Sequence, residues 1–147
     1  MRIFQVIEET TNASVPHNST WRRCLYEPLV DLGHDVYLFS SKKGRVARQR
    51  NDSRLRADFS DELVRTFRNE HSKRPFGLFF SYLTDGMIDF SAIGMIRKLG
   101  VPTCNFSCNN VHQFELVGQI SRHFDYSLHA EKAVKPKFVA AGANPLW

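Results

Sequence analysis

The run FGLFFSY, residues 76–82, carries the reading of the fold. It is almost continuously apolar, as a strand is when helices cover both faces of a parallel sheet. Outward from it the chain alternates short β-rich runs with helical ones, the pattern of strands joined by helical crossovers. RIFQVI (2–7) and DVYLFS (35–40) precede it, and VPTCNF (101–106), DYSLHA (125–130) and KFVAA (137–141) follow it, so six strands are expected. The intervening segments carry apolar stripes at helical spacing. Trp21, Leu25, Leu29 and Leu32 form the first, in a helix starting near Ser19, with Asn18 or Ser19 as its N-cap. Pro28 predicts a kink or a second start there, and Gly33 a left-handed C-terminal cap. Phe59, Leu63 and Phe67 mark a helix starting near Ser60, after a basic loop. Ile88, Ala92, Met95 and Leu99 mark another, opened by Asp85 and Gly86 and ended by Gly100. Phe114, Val117, Ile120 and Phe124 mark a helix over 111–123. The expected fold is α/β and Rossmann-like: a doubly wound, mostly parallel sheet of about six strands with helices on both faces, in the common order 3-2-1-4-5-6.

At 147 residues the chain is expected to form one domain over 1–147. Its composition, 42% hydrophobic and 24% charged, is that of a globular protein. No apolar stretch approaches the roughly 18 residues of a membrane span, and MRIFQVIEE runs into acidic residues without a signal-peptide core, so the cytoplasm is the expected compartment. Three cysteines, an odd number, predict reduced thiols. The net charge of +5 is local: residues 42–74 hold eleven Lys/Arg against five Asp/Glu, a surplus of six that leaves minus one elsewhere. Lys42, Lys43, Arg45 and Arg48 are therefore candidates for contact with an anionic surface or acceptor. No aromatic residue interrupts SKKGRVARQRNDSRLRAD (41–58), which disfavours nucleic acid as the partner.

The stretch CNFSCNNVHQFE, residues 104–115, raises three chemistries. Cys104, Cys108 and His112 give three ligands where structural zinc needs four, and Cys104 falls inside a strand, so no metal is expected. A thiolate nucleophile needs an electropositive setting and a base, for which Cys108 and His112 alone are thin support. The third chemistry is a binding cleft. Doubly wound sheets bind ligands beyond the carboxyl ends of their strands. SCNN (107–110) takes that place after the fourth strand, TDG (84–86) after the third, and EETTNASVPHNS (8–19) after the first. Candidate substrate-binding residues are thus His17, Asn18, Ser19, Asn109 and Asn110, with Asn109 or Asn110 also suited to capping the next helix. Asp85 and His112 are the candidates for orienting or deprotonating a hydroxyl, Asp85 being equally suited to an N-cap.

Taken together, LYEPLVDLGHDVYLF (25–39), IRKLGVPTCNF (96–106), FDYSLHAEK (124–132) and FVAAGANP (138–145) resemble the amino-terminal half of GT-B glycosyltransferases, in particular the group of CgeB-like spore maturation proteins. The resemblance implies an acceptor-side domain that transfers a sugar to a hydroxyl when joined to a carboxyl-terminal domain holding the sugar-nucleotide donor. It implies a sugar or polymer acceptor as partner, and no cofactor in this chain. Neither GxGxxG nor GxxxxGK[ST] occurs, so a self-contained dinucleotide or P-loop site is not expected. The alternative function is a non-catalytic flavodoxin-like or receiver-like interaction module.

Overall fold

The computed structural model describes residues 1–8 and 20–147; the expectations placed on His17, Asn18 and Ser19 lie outside the described residues. Six strands form one parallel sheet: β1 (Arg2–Ile7), β2 (Asp35–Ser40), β3 (Leu78–Ser81), β4 (Thr103–Ser107), β5 (Tyr126–His129) and β6 (Pro145–Leu146). The fold is the expected α/β, doubly wound class. The strand order is β2-β1-β3-β4-β5-β6 and not 3-2-1-4-5-6. Between β2 and β3 the chain forms two helices and no strand, so β2 stays at the sheet edge and β3 pairs directly with β1.

Those two helices correct the expected basic loop. α2 (Lys42–Arg50) and α3 (Ser53–Lys73) occupy almost the whole basic segment, and α3 starts seven residues before Ser60. The junction is built by short-range chemistry. Asn51 turns left-handed at φ 49° to end α2, and the Asp52 carboxylate accepts the Leu55 N–H at 2.9 Å to start α3. Arg, Lys, Gln and Ala are good helix formers, so propensity supports α2 even without a large apolar stripe.

The remaining helices are shorter than the periodicity implies. A π-turn at Arg22–Tyr26 leads into α1 (Glu27–Asp31), with Pro28 in its first turn and Gly33 beyond its end at φ 79°. Leu25 and Leu29 pack on the sheet, but Leu32 is exposed, because the helix has already ended. α4 (Phe90–Arg97) starts after Asp89, while Asp85 and Gly86 form a turn ahead of it. The helix expected over 111–123 is broken into α5 (Asn110–Gln113) and single 3-10 turns at Phe114–Leu116 and Ile120–His123. Gly118 interrupts it. KFVAA is not a strand: α6 (Lys135–Ala140) buries Phe138 one turn after Val134, with Pro136 in its first turn, and Gly142 follows its end at φ 79°. The sixth strand is Pro145–Leu146, paired with Ser127 and Leu128 of β5.

Alternation along β1 sends its side chains to two different layers. Phe4 and Val6 join α3, α4 and Phe138 of α6 in the larger core, while Ile3 meets Leu25 and Leu29 on the opposite face. Phe4 is at the centre of the larger core, with ring centroids 5.1 Å from Phe67, 5.2 Å from Phe76 and 5.8 Å from Phe79. Cys24, Cys104 and Cys108 are free thiols, and burial pushes the Cys104 thiol up to about 11. Among the described residues no helix is long and apolar enough to cross a membrane.

Candidate functional site

The chain leaves β1 toward β2 on one side and leaves β3 toward β4 on the other, so the carboxyl ends of these neighbours form the topological switch point. Two backbone bonds bracket it. The Ser41 N–H donates to the Ile7 carbonyl at 2.9 Å, and the Tyr82 N–H donates to the Val6 carbonyl at 2.9 Å. Between them opens a crevice of about 190 Å³, floored by Glu8 and walled by residues of α2 and of the segment after β3.

Each wall has a local cause. α2 begins directly after Ser41, and Arg45 and Arg48, three apart, share one of its faces. The Arg45 guanidinium lies 2.9 Å from the Glu8 carboxylate. The stem of Arg48 runs against Gly86, where a Cβ would come within 3.2 Å of the Arg48 Cγ, and Gly86 itself sits at φ +78°. On the opposite wall Trp21 packs on Tyr82 with centroids 4.4 Å apart. Tyr82 Oη and Cys108 Sγ are 3.5 Å apart. Burial first, then that sulfur contact, pushes the Tyr82 phenol well above its ordinary value of 10, with the Arg48 charge pulling the other way. The phenol is therefore a neutral donor or acceptor throughout the physiological range. The segment from Tyr82 to Thr84 is held by Asn105 of β4, whose Oδ1 accepts from Ser81 Oγ at 2.7 Å and Leu83 N–H at 2.9 Å while its Nδ2 donates to the Leu83 carbonyl.

In the crevice walls Thr84 Oγ1 and Arg45 Nε are buried and find no hydrogen-bond partner among the described residues. Buried polar groups are nearly always paired, so such atoms point to a missing partner.

Of the residues singled out from the sequence, Arg45 and Arg48 line this crevice, and the other described ones lie apart from it or are engaged elsewhere. Asp85 Oδ1 accepts the Ile120 N–H at 2.7 Å and its Oδ2 accepts the Gln119 N–H at 3.2 Å, so Asp85 caps the 3-10 turn at Ile120–His123 instead of α4. Burial pushes its carboxyl above 3.8, against the pull of those two N–H groups. It lines a separate cleft of about 390 Å³ with Arg56, Asp89 and Glu115. His112 is exposed on α5. Asn109, left-handed at φ 58°, precedes α5 with its carbonyl accepting from the His112 and Gln113 N–H groups, and its side chain makes no capping bond. Asn110 is fully buried; its N–H donates to Glu131 at 2.8 Å and its Nδ2 to Ser107 Oγ at 3.1 Å, which places it inside the fold and not on a lip. The four basic candidates divide: Lys43 pairs with Glu62 at 3.0 Å, Arg45 with Glu8, Lys42 is exposed, and Arg48 faces the crevice. No group of three His, Cys, Asp or Glu side chains able to hold a metal occurs among the described residues.

Sequence reading missed Trp21, Ser41, Tyr82 and Thr84 as crevice residues. Thr84 falls within TDG, already placed at this edge, and the three-residue spacing of Arg45 and Arg48 becomes informative once 42–50 is read as a helix. The sheet and its switch-point crevice define a doubly wound α/β domain. No family model, curated protein or solved structure matches this chain.

Proposed function

We propose that this domain is the acceptor-side half of a sugar-nucleotide-dependent glycosyltransferase, and that a sugar ring of the acceptor enters the crevice between β1 and β3. The observation that carries this reading is the pairing of an aromatic wall, Trp21 on Tyr82, with unpaired polar atoms at a switch point. The C–H face of a sugar packs on such a wall while its hydroxyls meet Thr84 and Ser41. Size supports an acceptor over a donor: sites for whole drug-sized ligands span roughly 300–1,000 Å³, and about 190 Å³ suits a single ring. The sugar nucleotide belongs to a carboxyl-terminal donor-binding domain. Neither candidate base lines this crevice: Asp85 has both oxygens engaged and His112 is exposed on α5, so the proposal assigns the acceptor proton to neither.

The test is a chemical-shift titration of the 15N-labelled chain with monosaccharides, sugar nucleotides and FMN. Monosaccharides are expected to move the Trp21 indole and the Tyr82 and Thr84 amides; a sugar nucleotide saturating these signals where simple sugars leave them unmoved would sink the acceptor reading. FMN serves the second reading, a flavodoxin-like or receiver-like module, which the strand order 2-1-3-4-5 specifically favours. Saturable FMN binding at these residues would transfer the function to that class. Against the receiver form, the single acidic group at the end of β1 described here, Glu8, is ion-paired with Arg45.

A further inference from the structure

We propose that the crevice between β1 and β3 is an oxyanion site in which Arg48 binds a phosphate or carboxylate carried by the ring-sized ligand. The inference rests on the crevice being the ligand site and not on the transfer chemistry.

The charges lining the crevice lead there. Glu8 and Arg45 offset each other at 2.9 Å. Tyr82 stays neutral, because burial holds its phenol protonated. Arg48 has no carboxylate partner among the described residues, so among the described side chains lining the crevice one positive charge remains. Its direction is constrained, since its stem lies against the backbone of Gly86, where even a methyl group would crowd it. A guanidinium held by its stem loses less freedom on binding than a surface lysine does, and its planar donors match two oxygens at once.

The two unpaired atoms of the walls, unlike the ion-paired Glu8 carboxylate, are donors. Arg45 Nε can only donate, and Thr84 Oγ1 has a proton to donate. A ligand that satisfies both, together with Arg48, is rich in acceptors, as an oxyanion is. α2 adds a second favourable field, because its nine residues begin just after Ser41, which lies on the crevice rim, and a helix start favours negative charge. The neutral hydroxyls of a plain sugar use none of the charge. This separates the crevice from the broader basic surface, where Lys43 is already paired with Glu62.

The experiment compares glucose, glucose 6-phosphate, glucuronate and inorganic phosphate by calorimetry at two salt concentrations, with Trp21 fluorescence in a Trp147→Phe background as a second readout. The anionic sugars are expected to bind about tenfold or more tightly than glucose, the scale of one charge-assisted contact. Arg48→Ala is expected to erase that preference, Arg48→Lys to retain part of it, and Lys43→Ala to leave it unchanged. Circular dichroism keeps a misfolded variant from being read as a loss of binding. Equal affinity for glucose and its anionic forms overturns the oxyanion inference and leaves the acceptor reading standing. Inorganic phosphate binding as tightly as glucose 6-phosphate, with loss in Arg48→Ala, supports the inference and removes the argument for a sugar ring. Absence of binding by all four compounds overturns both.

Discussion

Two single side chains outside the crevice have roles that spacing alone did not reveal. Asp85 closes a contact of 35 residues' separation by taking the Ile120 N–H, so Asp85→Ala is expected to cost about 1–2 kcal/mol through a lost cap and two orphaned donors. Thermal unfolding measures it, and an unchanged melting temperature would remove the capping role. His129 is 2% exposed and stacks on Phe138 with ring centroids 4.9 Å apart and planes within 4°; the Glu131 backbone is its polar neighbour, but neither ring nitrogen reaches good hydrogen-bond geometry among the described residues. Burial lowers its pKa below 6.5, against the opposite pull of Glu131. The unfolded chain therefore binds this proton more readily than the folded one. Stability from this group is present above pH 6.5 and falls as the pH drops toward the depressed folded value. His129→Phe keeps the stack and removes both unpaired nitrogens, so it is expected to hold or raise stability by ~1 kcal/mol and to flatten the loss between pH 7.5 and 5.5. Urea unfolding at both pH values decides it; an unaltered pH dependence would refute the assignment. His129 stood in the sequence only as part of a strand, since burial on one face of β5 depends on α6, which the sequence reading had as a strand.

At the scale of elements, α2 is the instructive case. Its two buried residues are Gly44 and Ala47, so the helix packs by close approach and not by a stripe of large side chains, and a search for apolar periodicity passes over it. A Cβ at Gly44 would lie 2.8 Å from the Phe59 ring and 2.9 Å from the Met87 carbonyl. Alanine is a better helix former than glycine by up to about 1 kcal/mol, but overpacking costs roughly 1–3 kcal/mol, and against a backbone oxygen the packing term decides. Gly44→Ala is expected to lower the melting temperature and to weaken crevice binding together, because α2 carries both Arg45 and Arg48. A more stable Gly44→Ala variant with unchanged binding would show that α2 has room to shift. The start of α3 was legible in principle, in the Asn51-Asp52 junction and its Leu55 N–H bond; its apolar stripe drew attention to the middle of the helix instead.

For the molecule as a whole, the core is held by aromatic rings converging from distant segments. Phe4 meets Tyr37 of β2 at 5.2 Å, Phe67 of α3 and Phe79 of β3, which joins three strands and a helix through one side chain. Phe4→Ala is expected to cost about 3–5 kcal/mol, a large share of the roughly 5–15 kcal/mol that holds a domain folded. Phe4→Leu is the milder control, and a loss under about 1 kcal/mol for the alanine variant in urea would mean that the cluster relaxes around the gap. The class of the fold, the positions of five strands and the free thiols were legible in the sequence, because alternation, apolar runs and cysteine chemistry act over a few residues; the count of six matched only because Pro145–Leu146 replaces the expected strand KFVAA. The strand order, the helical state of residues 42–50 and 135–140, and the identity of the crevice needed the folded chain. Glu8, Trp21, Arg45 and Tyr82 are up to 74 residues apart, and nothing local to any one of them states that β3 will lie beside β1. That neighbourhood follows from burying Phe4 and Phe79 in one core, a cooperative choice made by the whole chain.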